Sequence, residues 1–484
     1  MAFKYPLPTK QFIHGEYVDS RGTERLVLRS SRDDTVVSDE IQLANAADVD
    51  AAVESALKGF KAWNALAPER RRGILLKFAD LIEQNGEKLS YLETVLVGKA
   101  VGFSIAFEVS SAVETFRYFA GYVDKFEGDL HPPHGGFMRV VNHEPLGVCA
   151  SVIPFNSPII TFAMKAAPAL TMGNVLITKA SELNPFSTLA FGELANEAGF
   201  PPGVINILIG AAEAGAALAS HMKIRKISFT GSALTGKKIQ VAAAQSNLKR
   251  VTLELGGKSP VVVFDDADVD NAVANSMSFV SLNGQGCVLG TRIYVQRGIA
   301  DEFVQKLKGG VEGFAQTLGA DPFEPTTMSS PLFHHRQKET VMAFLEQGKK
   351  DAELITGGDS WGTKGCFVQP TIFYKPKPGA DIVTKEIFGP VVVVDTFDDE
   401  EEVVQKANDT EYGLGAYVYT SNMDRAFRVS LALEAGSVSV NSAMPVHPTI
   451  PFGGWKGSGI GRENAKYVLR DYSQPKSIIF KYVA

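Results

Sequence analysis

The sequence predicts an α/β protein with two regions in which strands and helices alternate. From 146 to 255, short apolar runs rich in β-branched residues alternate with stretches of helical periodicity. Nearly continuous apolar strands of this kind form parallel sheets that helices cover on both faces. A second alternation, from about 259 to 436, predicts a second α/β domain. The strands predicted in the first region are 148–153, 175–179, 204–209, 226–230 and 250–255.

Helices are predicted wherever apolar residues recur every three or four positions. In the first region they are 159–170, 186–198, 212–221 and 234–245. Elsewhere they are 48–60, a helix that begins at Pro68, 88–97, 108–124, 267–279, 301–316 and 336–347. A turn cluster at 131–136 followed by alternating residues predicts a projecting hairpin, and the residues after Pro475 predict an edge strand.

Size and charge narrow the class of protein. A chain of 484 residues is too long for one hydrophobic core, so two or more domains are expected. The net charge of −6 argues against nucleic acid or an anionic membrane surface as the main partner. No uninterrupted apolar run reaches about 18 residues, so no transmembrane helix is expected.

Cysteine usage favours a reducing compartment. Cys149, Cys287 and Cys366 lie far apart, without a disulfide framework or a CxxC motif. The N-terminus lacks the apolar region of a secretory signal, so a cytoplasmic location is expected. No metal site is predicted, because the acidic run 266–270 lacks the glycine and glutamate of a calcium loop and is better explained as a helix start.

Polar residues lie at the ends of the predicted parallel strands, where ligands bind in such sheets. The Asn156 amide suits an oxyanion, although asparagine is also a common turn residue. Lys179 and Glu182 could hold a ribose or form a surface ion pair. Ser232 opens a helix whose N–H groups suit a pyrophosphate, or simply caps that helix. Glu254 could act as a general base if burial raises its pKa.

Cys287 ends the stretch 283–287, in which two glycines and an amide residue precede the thiol. Glycines let backbone approach a ligand closely because they carry no Cβ. A catalytic thiol must be accessible and stabilised as a thiolate, and a turn of this kind provides access. The alternative is a buried cysteine that acts as a small apolar residue.

Six short strings carry most of the recognisable chemistry. They are Pro154-Phe155-Asn156, Phe229-Thr230-Gly231-Ser232, Glu254-Leu255-Gly256-Gly257-Lys258, Gly284-Gln285-Gly286-Cys287, Glu386-Ile387-Phe388-Gly389-Pro390 and Pro451-Phe452-Gly453-Gly454-Trp455-Lys456-Gly457-Ser458-Gly459. In this order and at these separations they resemble the aldehyde dehydrogenase superfamily, over essentially the whole chain. One departure is Ala180, which stands where the family usually has proline.

The resemblance implies an enzyme that oxidises an aldehyde to the carboxylic acid with NAD. Cys287 would attack the aldehyde to give a thiohemiacetal, whose oxyanion the Asn156 amide and the Cys287 N–H would hold. Hydride transfer would leave a thioester, and Glu254 would activate the water that hydrolyses it. Lys165 and Glu463 match positions of a proton path from that base. For these two, a solvated lysine and a helix-start acid are the alternative.

The resemblance also implies how the cofactor is held. Lys179 and Glu182 would hold the adenine-side ribose, Ser232 the pyrophosphate and Glu386 the nicotinamide ribose, with Phe388 beside the nicotinamide. A carboxylate at Glu182 favours NAD, but NADP use stays open because such a side chain can swing away. The other residues expected around the cofactor are Ile153, Pro154, Phe155, Phe229, Gly231 and Leu255.

The implied architecture is a Rossmann-like cofactor domain, an α/β catalytic domain and a small β arm for oligomerisation. The expected boundaries are 1–122 with 144–253 for the NAD-binding domain, 254–457 for the catalytic domain, and 123–143 with 467–484 for the arm. A homodimer or homotetramer is expected, in which the strand from Pro475 extends a partner's sheet.

The expected substrate is an uncharged aliphatic or aromatic aldehyde. The side chains expected to line its tunnel are medium-sized and mostly apolar, with no lysine or arginine placed to bind a carboxylate. They are Ser157, Thr161, Met164, Val446 and Phe452.

Two other functions stay open. A relative that passes the thioester to coenzyme A is disfavoured by Glu254, because a water-activating base would waste the thioester. A non-catalytic binding protein that kept the fold is disfavoured because Cys287, Glu254 and Asn156 are all present.

Overall fold

The computed structural model describes residues 3–443 and 446–482, and β-sheets organise this part of the chain. The strands are β1 (Gln11–Ile13), β2 (Glu16–Val18), β3 (Arg25–Arg29), β4 (Val36–Gln42), β5 (Asp129–His134), β6 (Phe137–Pro145), β7 (Val148–Val152), β8 (Val175–Ser181), β9 (Ile205–Gly210), β10 (Lys226–Thr230), β11 (Arg250–Glu254), β12 (Ser259–Val263), β13 (Gly290–Gln296), β14 (Glu353–Thr356), β15 (Thr371–Tyr374), β16 (Val391–Phe397), β17 (Gly415–Tyr419), β18 (Ser437–Val440), β19 (Gly459–Ile460) and β20 (Ser473–Lys481).

Helices fill most of the connections between these strands. The α-helices are α1 (Ala46–Asn64), α2 (Pro68–Gln84), α3 (Gly86–Val97), α4 (Val101–Phe103), α5 (Ser110–Ala120), α6 (Pro158–Thr171), α7 (Phe186–Ala198), α8 (Ala212–Ser220), α9 (Ala233–Gln245), α10 (Val269–Ser276), α11 (Ala300–Ala315), α12 (His335–Asp351), α13 (Asp381–Thr384), α14 (Glu400–Asn408), α15 (Met423–Ala432) and α16 (Val468–Asp471). A π-helix spans Ser104–Val109, and 3₁₀ turns span Met277–Gly284, Arg297–Ile299 and Lys456–Ser458.

The first large sheet has the strand order β19-β11-β10-β7-β8-β9-β1-β2. Strands β7 to β11 run parallel to one another, which confirms the predicted parallel sheet, whereas β1 and β19 pair antiparallel with β9 and β11. Strands β8 and β9 lie on one side of β7, whereas β10 and β11 lie on the other. The order in which strands are added to the sheet therefore reverses between β7 and β10. Open α/β sheets bind ligands at such a switch point, beyond the carboxyl ends of the strands.

The second large sheet has the order β14-β15-β16-β13-β12-β17-β18 and is parallel except for β14. The chain enters it at β12, directly after β11 of the first sheet. The α/β class is confirmed by these two sheets. The domain boundaries given above stay predictions.

The predicted hairpin and the C-terminal strand form one antiparallel sheet, in the order β20-β6-β5. Register pairs run from Ser473 with Pro145 to Lys481 with Phe137. The strand thus begins two residues before Pro475 and pairs with its own chain along one edge. Whether its other edge extends a partner's sheet stays a prediction.

Local sequence explains most helix boundaries. Asn45 and Asp48 form a reciprocal capping box at the start of α1, and Pro68 begins α2. The Asp268 side chain accepts a hydrogen bond from the backbone N–H of Asn271 and caps α10. The acidic run 266–270 therefore belongs to a helix start, as expected.

Two predicted helices end differently from what the periodicity indicates. The helix expected at 267–279 ends at Ser276 and continues as a 3₁₀ turn to Gly284, within which Leu282 and Asn283 adopt left-handed backbone angles. The helix expected at 108–124 is α5 alone, preceded by the π-helix. Apolar spacing predicts which face is buried but cannot detect either irregularity.

Among the described residues, no helix combines the length and apolar character that crossing a membrane requires. Within the same residues, no cluster of three histidine, cysteine or acidic side chains is arranged to hold a metal ion.

Candidate active site

A cavity of about 270 Å³ opens at the carboxyl ends of β7, β10 and β11, where the sheet topology places a ligand site. Its walls come from strand ends of the first sheet, from α6, and from segments that precede β13 and follow β18 of the second sheet. Of the predicted catalytic and substrate residues, those that line it are Asn156, Ser157, Thr161, Met164, Glu254, Cys287, Val446, Phe452 and Glu463.

The loop that carries Cys287 is fixed by close packing. Gly284 has a φ of +77°, and a Cβ at this position would overlap the backbone of Gly389. The side chain of Gln285 is fully buried, and it donates to the Leu282 carbonyl (2.9 Å) and accepts from the Phe333 N–H (3.0 Å). The glycine and the amide of the motif thus hold the thiol in place.

Cys287 is half-buried and lines the cavity, whereas Cys149 and Cys366 are buried elsewhere. This difference favours the predicted nucleophile over a cysteine that merely fills the core. Gly257 also contributes, because a Cβ there would overlap the Cys287 carbonyl oxygen. The strand end that carries Glu254 and the cysteine loop can therefore approach each other closely.

The thiol and the carboxyl group face each other, with Cys287 Sγ 4.0 Å from Glu254 Oε2. Burial raises the pKa of the Glu254 carboxyl well above its usual range, and the negative charge of Glu463 adds to the shift. Burial also raises the pKa of the Cys287 thiol, and the Glu254 and Glu386 carboxylates act in the same direction. Both shifts favour the protonated form of the group.

Asn156 lies against the cysteine loop, and its Nδ2 donates to the Gln285 carbonyl oxygen at 2.8 Å. A primary amide has two N–H donors, so one stays available to the cavity that Asn156 lines. If Asn156 were only a turn residue, this would explain its position after β7. It would not explain why its side chain is hydrogen-bonded to the loop that carries Cys287.

Lys165 and Glu463 form a buried ion pair behind the cavity. The relative exposure of Lys165 is 0% and that of Glu463 is 3%. Glu463 pairs its backbone with Phe452, in a cavity wall, and α16 begins only at Val468. The alternative of a solvated lysine and a helix-start acid is therefore wrong. A role in proton transfer stays a prediction.

The predicted cofactor residues gather at the same edge of the first sheet. Lys179 is buried at the end of β8, its ammonium donates to the Gly210 carbonyl, and it lies 3.7 Å from the Glu182 carboxylate. The Ser232 side chain accepts a hydrogen bond from the Thr235 N–H and caps α9. A helix cap was one of the two roles expected for this serine. The others near these strand ends are Ile153, Pro154, Phe155, Phe229, Gly231 and Leu255.

This donor set fits a dinucleotide. The first turn of α9 presents N–H groups and the positive end of a helix dipole to a phosphate, and Lys179 with Glu182 presents a donor and an acceptor to ribose hydroxyls. Position 231, directly before the cap of this helix, requires glycine because a Cβ there would overlap the Phe229 ring. The capped helix and a phosphate site are compatible, because one serine satisfies only one of the free N–H groups.

Glu386 and Phe388 reach the site from the loop between α13 and β16. The Glu386 carboxylate accepts from the Gly257 N–H at 3.0 Å, and burial raises its pKa to about 7. The rings of Phe388 and Phe155 meet edge to face, with centroids 6.2 Å apart. Both predicted residues thus lie beside the strand ends that carry the rest of the set.

Part of the cavity wall was not predicted from the sequence. Phe103 and Phe107 line the cavity from the segment that includes the π-helix, and their spacing of four residues was the available signal. The other lining residues that were not predicted are Ile160, Ser278, Ser281, Leu282, Val288, Leu289 and Ala443.

Comparison with known proteins agrees with this geometry. The model of the aldehyde dehydrogenase family matches residues 17–478. The chain belongs to the aldehyde dehydrogenase family. It is 41% identical over 484 residues to an aldehyde dehydrogenase of Emericella nidulans, covering 99% of this chain and 96% of that protein. It is also 41% identical to human retinal dehydrogenase 2, covering 98% and 92%.

Solved structures of the family superpose closely. Aldehyde dehydrogenase KauB from Pseudomonas aeruginosa matches with a TM-score of 0.95 and 37% identity, over 99% of this chain and 97% of that one. The indole-3-acetaldehyde dehydrogenase AldA of P. syringae, solved with NAD+ and IAA, matches with a TM-score of 0.95 and 36% identity, over 99% and 97%. This family member therefore has the family's fold along nearly its whole length.

Proposed function

We propose that this aldehyde dehydrogenase oxidises an uncharged aldehyde to the carboxylic acid with NAD, through a thioester on Cys287 that water hydrolyses. One observation carries the proposal: a single cavity is lined by the Cys287 thiol, the Asn156 amide and the Glu254 carboxyl, with the thiol and the carboxyl in contact. A nucleophile, an oxyanion donor and a base are the groups that acyl transfer requires.

In the first step the Cys287 thiol gives its proton to water, and the thiolate sulfur attacks the aldehyde carbon. The carbonyl oxygen becomes the oxyanion of a thiohemiacetal. The free N–H of Asn156 and the Cys287 backbone N–H stabilise that charge. NAD, when bound, supplies a positively charged hydride acceptor. Positive charge in the cavity also lowers the pKa of the thiol, which burial and the carboxylates at 254 and 386 otherwise raise.

In the second step Glu254 takes a proton from the water that attacks the thioester. The raised pKa of its carboxyl makes the carboxylate a stronger base than an exposed glutamate. The Glu254 Oε1 atom is buried and makes no hydrogen bond within the described residues, so it can accept one from a water molecule. The sulfur leaves as the thiolate and takes that proton back from Glu254, so the acid is released and the thiol is restored.

The cofactor assignment rests on Glu182 and Lys179. A carboxylate 3.7 Å from a buried ammonium offers hydroxyl groups an acceptor and a donor, and it repels a 2′-phosphate. NAD is therefore proposed as the preferred cofactor. A search of solved structures gives relatives whose crystals contain NAD+, including an indole-3-acetaldehyde dehydrogenase.

The substrate assignment rests on the charge of the cavity wall. Among the described residues that line it, the ionisable acids are Glu254 and Glu463, and none is lysine or arginine. A substrate carboxylate would find no cationic partner there, and burying an unpaired charge is costly. The aromatic rings of Phe103, Phe107 and Phe452 favour an aliphatic or aromatic aldehyde.

Transfer of the acyl group to coenzyme A is the alternative, and the contact of Glu254 with Cys287 disfavours it.

We further propose a homodimer or homotetramer. Its support is apolar surface on β20, where Ile479 and Phe480 are exposed, and on α15, where Met423, Phe427 and Leu431 form an exposed stripe. A cytoplasmic location is kept as a proposal, although similar proteins include a mitochondrial form from Arabidopsis thaliana.

The test is NADH formation with a panel of short and long aliphatic aldehydes, aromatic aldehydes and semialdehyde acids. Cys287→Ala should abolish turnover, whereas Cys366→Ala, which removes a buried thiol remote from the cavity, should retain it. Turnover without Cys287 would overturn the mechanism. A strong preference for semialdehyde acids would overturn the substrate class, and acyl-CoA formation would establish the alternative.

A further inference from the structure

A buried charged cluster lies behind α6, and the reaction proposed above does not use it. The Lys99 ammonium donates to Glu93 and to Glu108 Oε1 (2.5 Å), and all three side chains are fully buried. Removing charged groups from water is costly, and apolar side chains of similar size are often equally or more stable in such places. Stability is therefore a weak explanation for this cluster.

Both acids of the cluster contact the first turn of α6. Glu108 is hydrogen-bonded to the Ser157 hydroxyl, and Glu93 accepts from the Ile159 backbone N–H. Ser157 is the N-cap of α6, yet its side chain makes no capping bond to its own helix. Negative charge interacts favourably with the N-terminus of a helix. The two acids therefore fix the start of α6, which the cap residue does not do.

The start of α6 determines where the oxyanion donor lies. Asn156 directly precedes Ser157, so a contact that fixes the serine also restricts the asparagine. The Asn156 Nδ2 atom donates to the Gln285 carbonyl oxygen at 2.8 Å, in the loop that carries Cys287. A displacement of the first turn of α6 would therefore move the amide relative to the thiol.

The cluster also contacts the segment that holds the cysteine loop. The Lys99 ammonium lies 5.8 Å from the centroid of the Phe333 ring, and the Phe333 N–H donates to Gln285 Oε1 at 3.0 Å. The residue after Lys99, Ala100, donates its N–H to Ser330 Oγ at 3.3 Å. The contacts thus form a closed ring, which runs through Lys99, Glu108, Ser157, Asn156, Gln285 and Phe333.

We propose that Lys99 is a positioning residue for the oxyanion site, because it fixes the Asn156 amide relative to the Cys287 loop. The proposal rests on the function proposed above, in which that amide stabilises the thiohemiacetal oxyanion. Lys99 acts through the two acids on one side and through Phe333 on the other. Its side chain is fully buried outside the cavity wall, so it does not touch the substrate.

This role explains why charged groups suit this place. Hydrogen bonds to a charged group are about twice as strong as neutral ones and restrict geometry more closely. Apolar side chains of equal size would fill the same volume and leave the first turn of α6 freer to shift. A shift of about 1 Å in a reacting group can slow a reaction about 10²-fold, so a small displacement is sufficient.

The experiment compares Lys99→Met with the parent enzyme, each with and without Asn156→Ala. Methionine keeps the length of the side chain and removes the ammonium. Ser187→Ala is the matched control, because Ser187 is equally buried and donates to Glu93 Oε1 at 2.8 Å, but from α7, outside the cavity wall. Thermal unfolding checks that each variant is folded, and protein fluorescence measures the dissociation constant for NAD.

We expect Lys99→Met to lower kcat/KM for the aldehyde about tenfold and to leave the dissociation constant for NAD unchanged. Asn156→Ala removes the amide itself and should lower kcat about 10²-fold or more. Because the amide that Lys99 positions is then absent, the double variant should be no slower than Asn156→Ala alone. Ser187→Ala should leave both kcat/KM and the dissociation constant unchanged.

Two outcomes would overturn this inference while the proposed function stands. If Lys99→Met lowers kcat/KM by the same factor with and without the Asn156 amide, the cluster supports the fold and not the oxyanion site. If Lys99→Met turns over as fast as Ser187→Ala, the position of the amide does not depend on the ammonium. If the parent enzyme forms no NADH with any aldehyde, the proposed function fails first, and this inference fails with it.

A second variant keeps the comparison decisive if Lys99→Met does not fold. That substitution leaves two buried acids without their common partner, and an unpaired buried charge is strongly destabilising. The triple variant Glu93→Leu, Lys99→Met and Glu108→Leu leaves no charge in the cluster, so it takes the place of Lys99→Met with the same expected outcomes.

Discussion

Cys287 Sγ lies 4.0 Å from Glu254 Oε2, so the thiol and the carboxyl group flank the same point in the cavity. An acyl group on the sulfur would place its carbonyl carbon beside the carboxyl. A water molecule bound to Glu254 would then be in position to attack that carbon. This relationship separates the two chemical steps, because the thiol is needed for both and the carboxyl only for the second.

Glu254→Gln should therefore form NADH once and then stall. Glutamine keeps the size of the side chain but cannot take a proton, so hydrolysis should slow about 10² to 10⁴-fold while the first NADH per site still appears. Rapid-mixing absorbance measures both phases, and mass spectrometry of the quenched protein should show the acyl group on Cys287. Loss of the first phase would mean that Glu254 is needed for attack by the thiol.

Gly284→Ala should damage the site through the backbone. The new methyl group would overlap Gly389 and would occupy a left-handed conformation, so we expect a loss of about 1–3 kcal/mol in the free energy of unfolding. Displacement of the adjacent Cys287 should lower kcat/KM tenfold or more. Gly298→Ala is the control, because a Cβ there meets no atom within 4 Å. Equal behaviour of the two variants would show that the loop tolerates the shift.

Much of the fold was predictable because it depends on local patterns. Strand β10 and helix α7 have the predicted bounds, since alternating apolar runs and helical spacing report burial directly. The position of the polar residues that follow the strands was also predictable from local sequence. A parallel sheet gathers its carboxyl ends at one edge, so Asn156 and Glu254 come together there whatever the intervening helices do.

The features that were not predictable depend on contacts distant in sequence. Lys165 and Glu463 are 298 positions apart, and nothing near either residue indicates that the two are buried together. The kink at Leu282 and Asn283 brings Gly284 against Gly389, a contact that apolar periodicity does not record. Contacts of this kind join segments that are distant in sequence, and local periodicity carries no information about them.

Glu182→Ser should shift cofactor preference toward NADP. Removing the carboxylate removes repulsion of a 2′-phosphate and leaves the Lys179 ammonium, now without its partner at 3.7 Å, to attract that phosphate. We expect the ratio of kcat/KM for NADP to that for NAD to rise about tenfold, equivalent to about 1.4 kcal/mol. Glu197→Ser on α7 removes an exposed acid as a control and should leave the ratio unchanged. An unchanged ratio in Glu182→Ser would show that the ribose lies elsewhere.

Behind the cavity, Lys99 is fully buried between two acids. Its ammonium donates to Glu93 and to Glu108 Oε1 (2.5 Å), and Glu108 is also hydrogen-bonded to Ser157 in the cavity wall. One ammonium cannot neutralise two carboxylates. Burial raises the pKa of Glu108 to about 8, and the charge of Glu93 adds to the shift. Near neutral pH, Glu108 is thus largely protonated and the cluster carries no net charge.

The raised pKa of Glu108 makes the free energy of unfolding decrease as pH rises. Glu108 has a higher pKa in the folded chain than its ordinary value of 4.5, so the folded state binds more protons between pH 4.5 and about 8. The contribution of Glu108 to the free energy of unfolding is complete below pH 4.5 and is lost as pH rises toward 8. The free energy of unfolding falls by no more than about 1.4 kcal/mol per pH unit in this range. Glu108→Gln removes the titrating group and keeps a neutral side chain of the same size.

We therefore expect Glu108→Gln and the parent to unfold at similar temperatures at pH 4, and the variant to be the more stable at pH 9. The remaining pair, Lys99 with Glu93, stays neutral throughout that range, so no buried charge is left without a partner. Glu114→Gln, an exposed acid on α5, is the control and should not change the pH dependence. If Glu108→Gln is less stable than the parent at both pH values, the carboxylate form of Glu108 is the one that the fold uses.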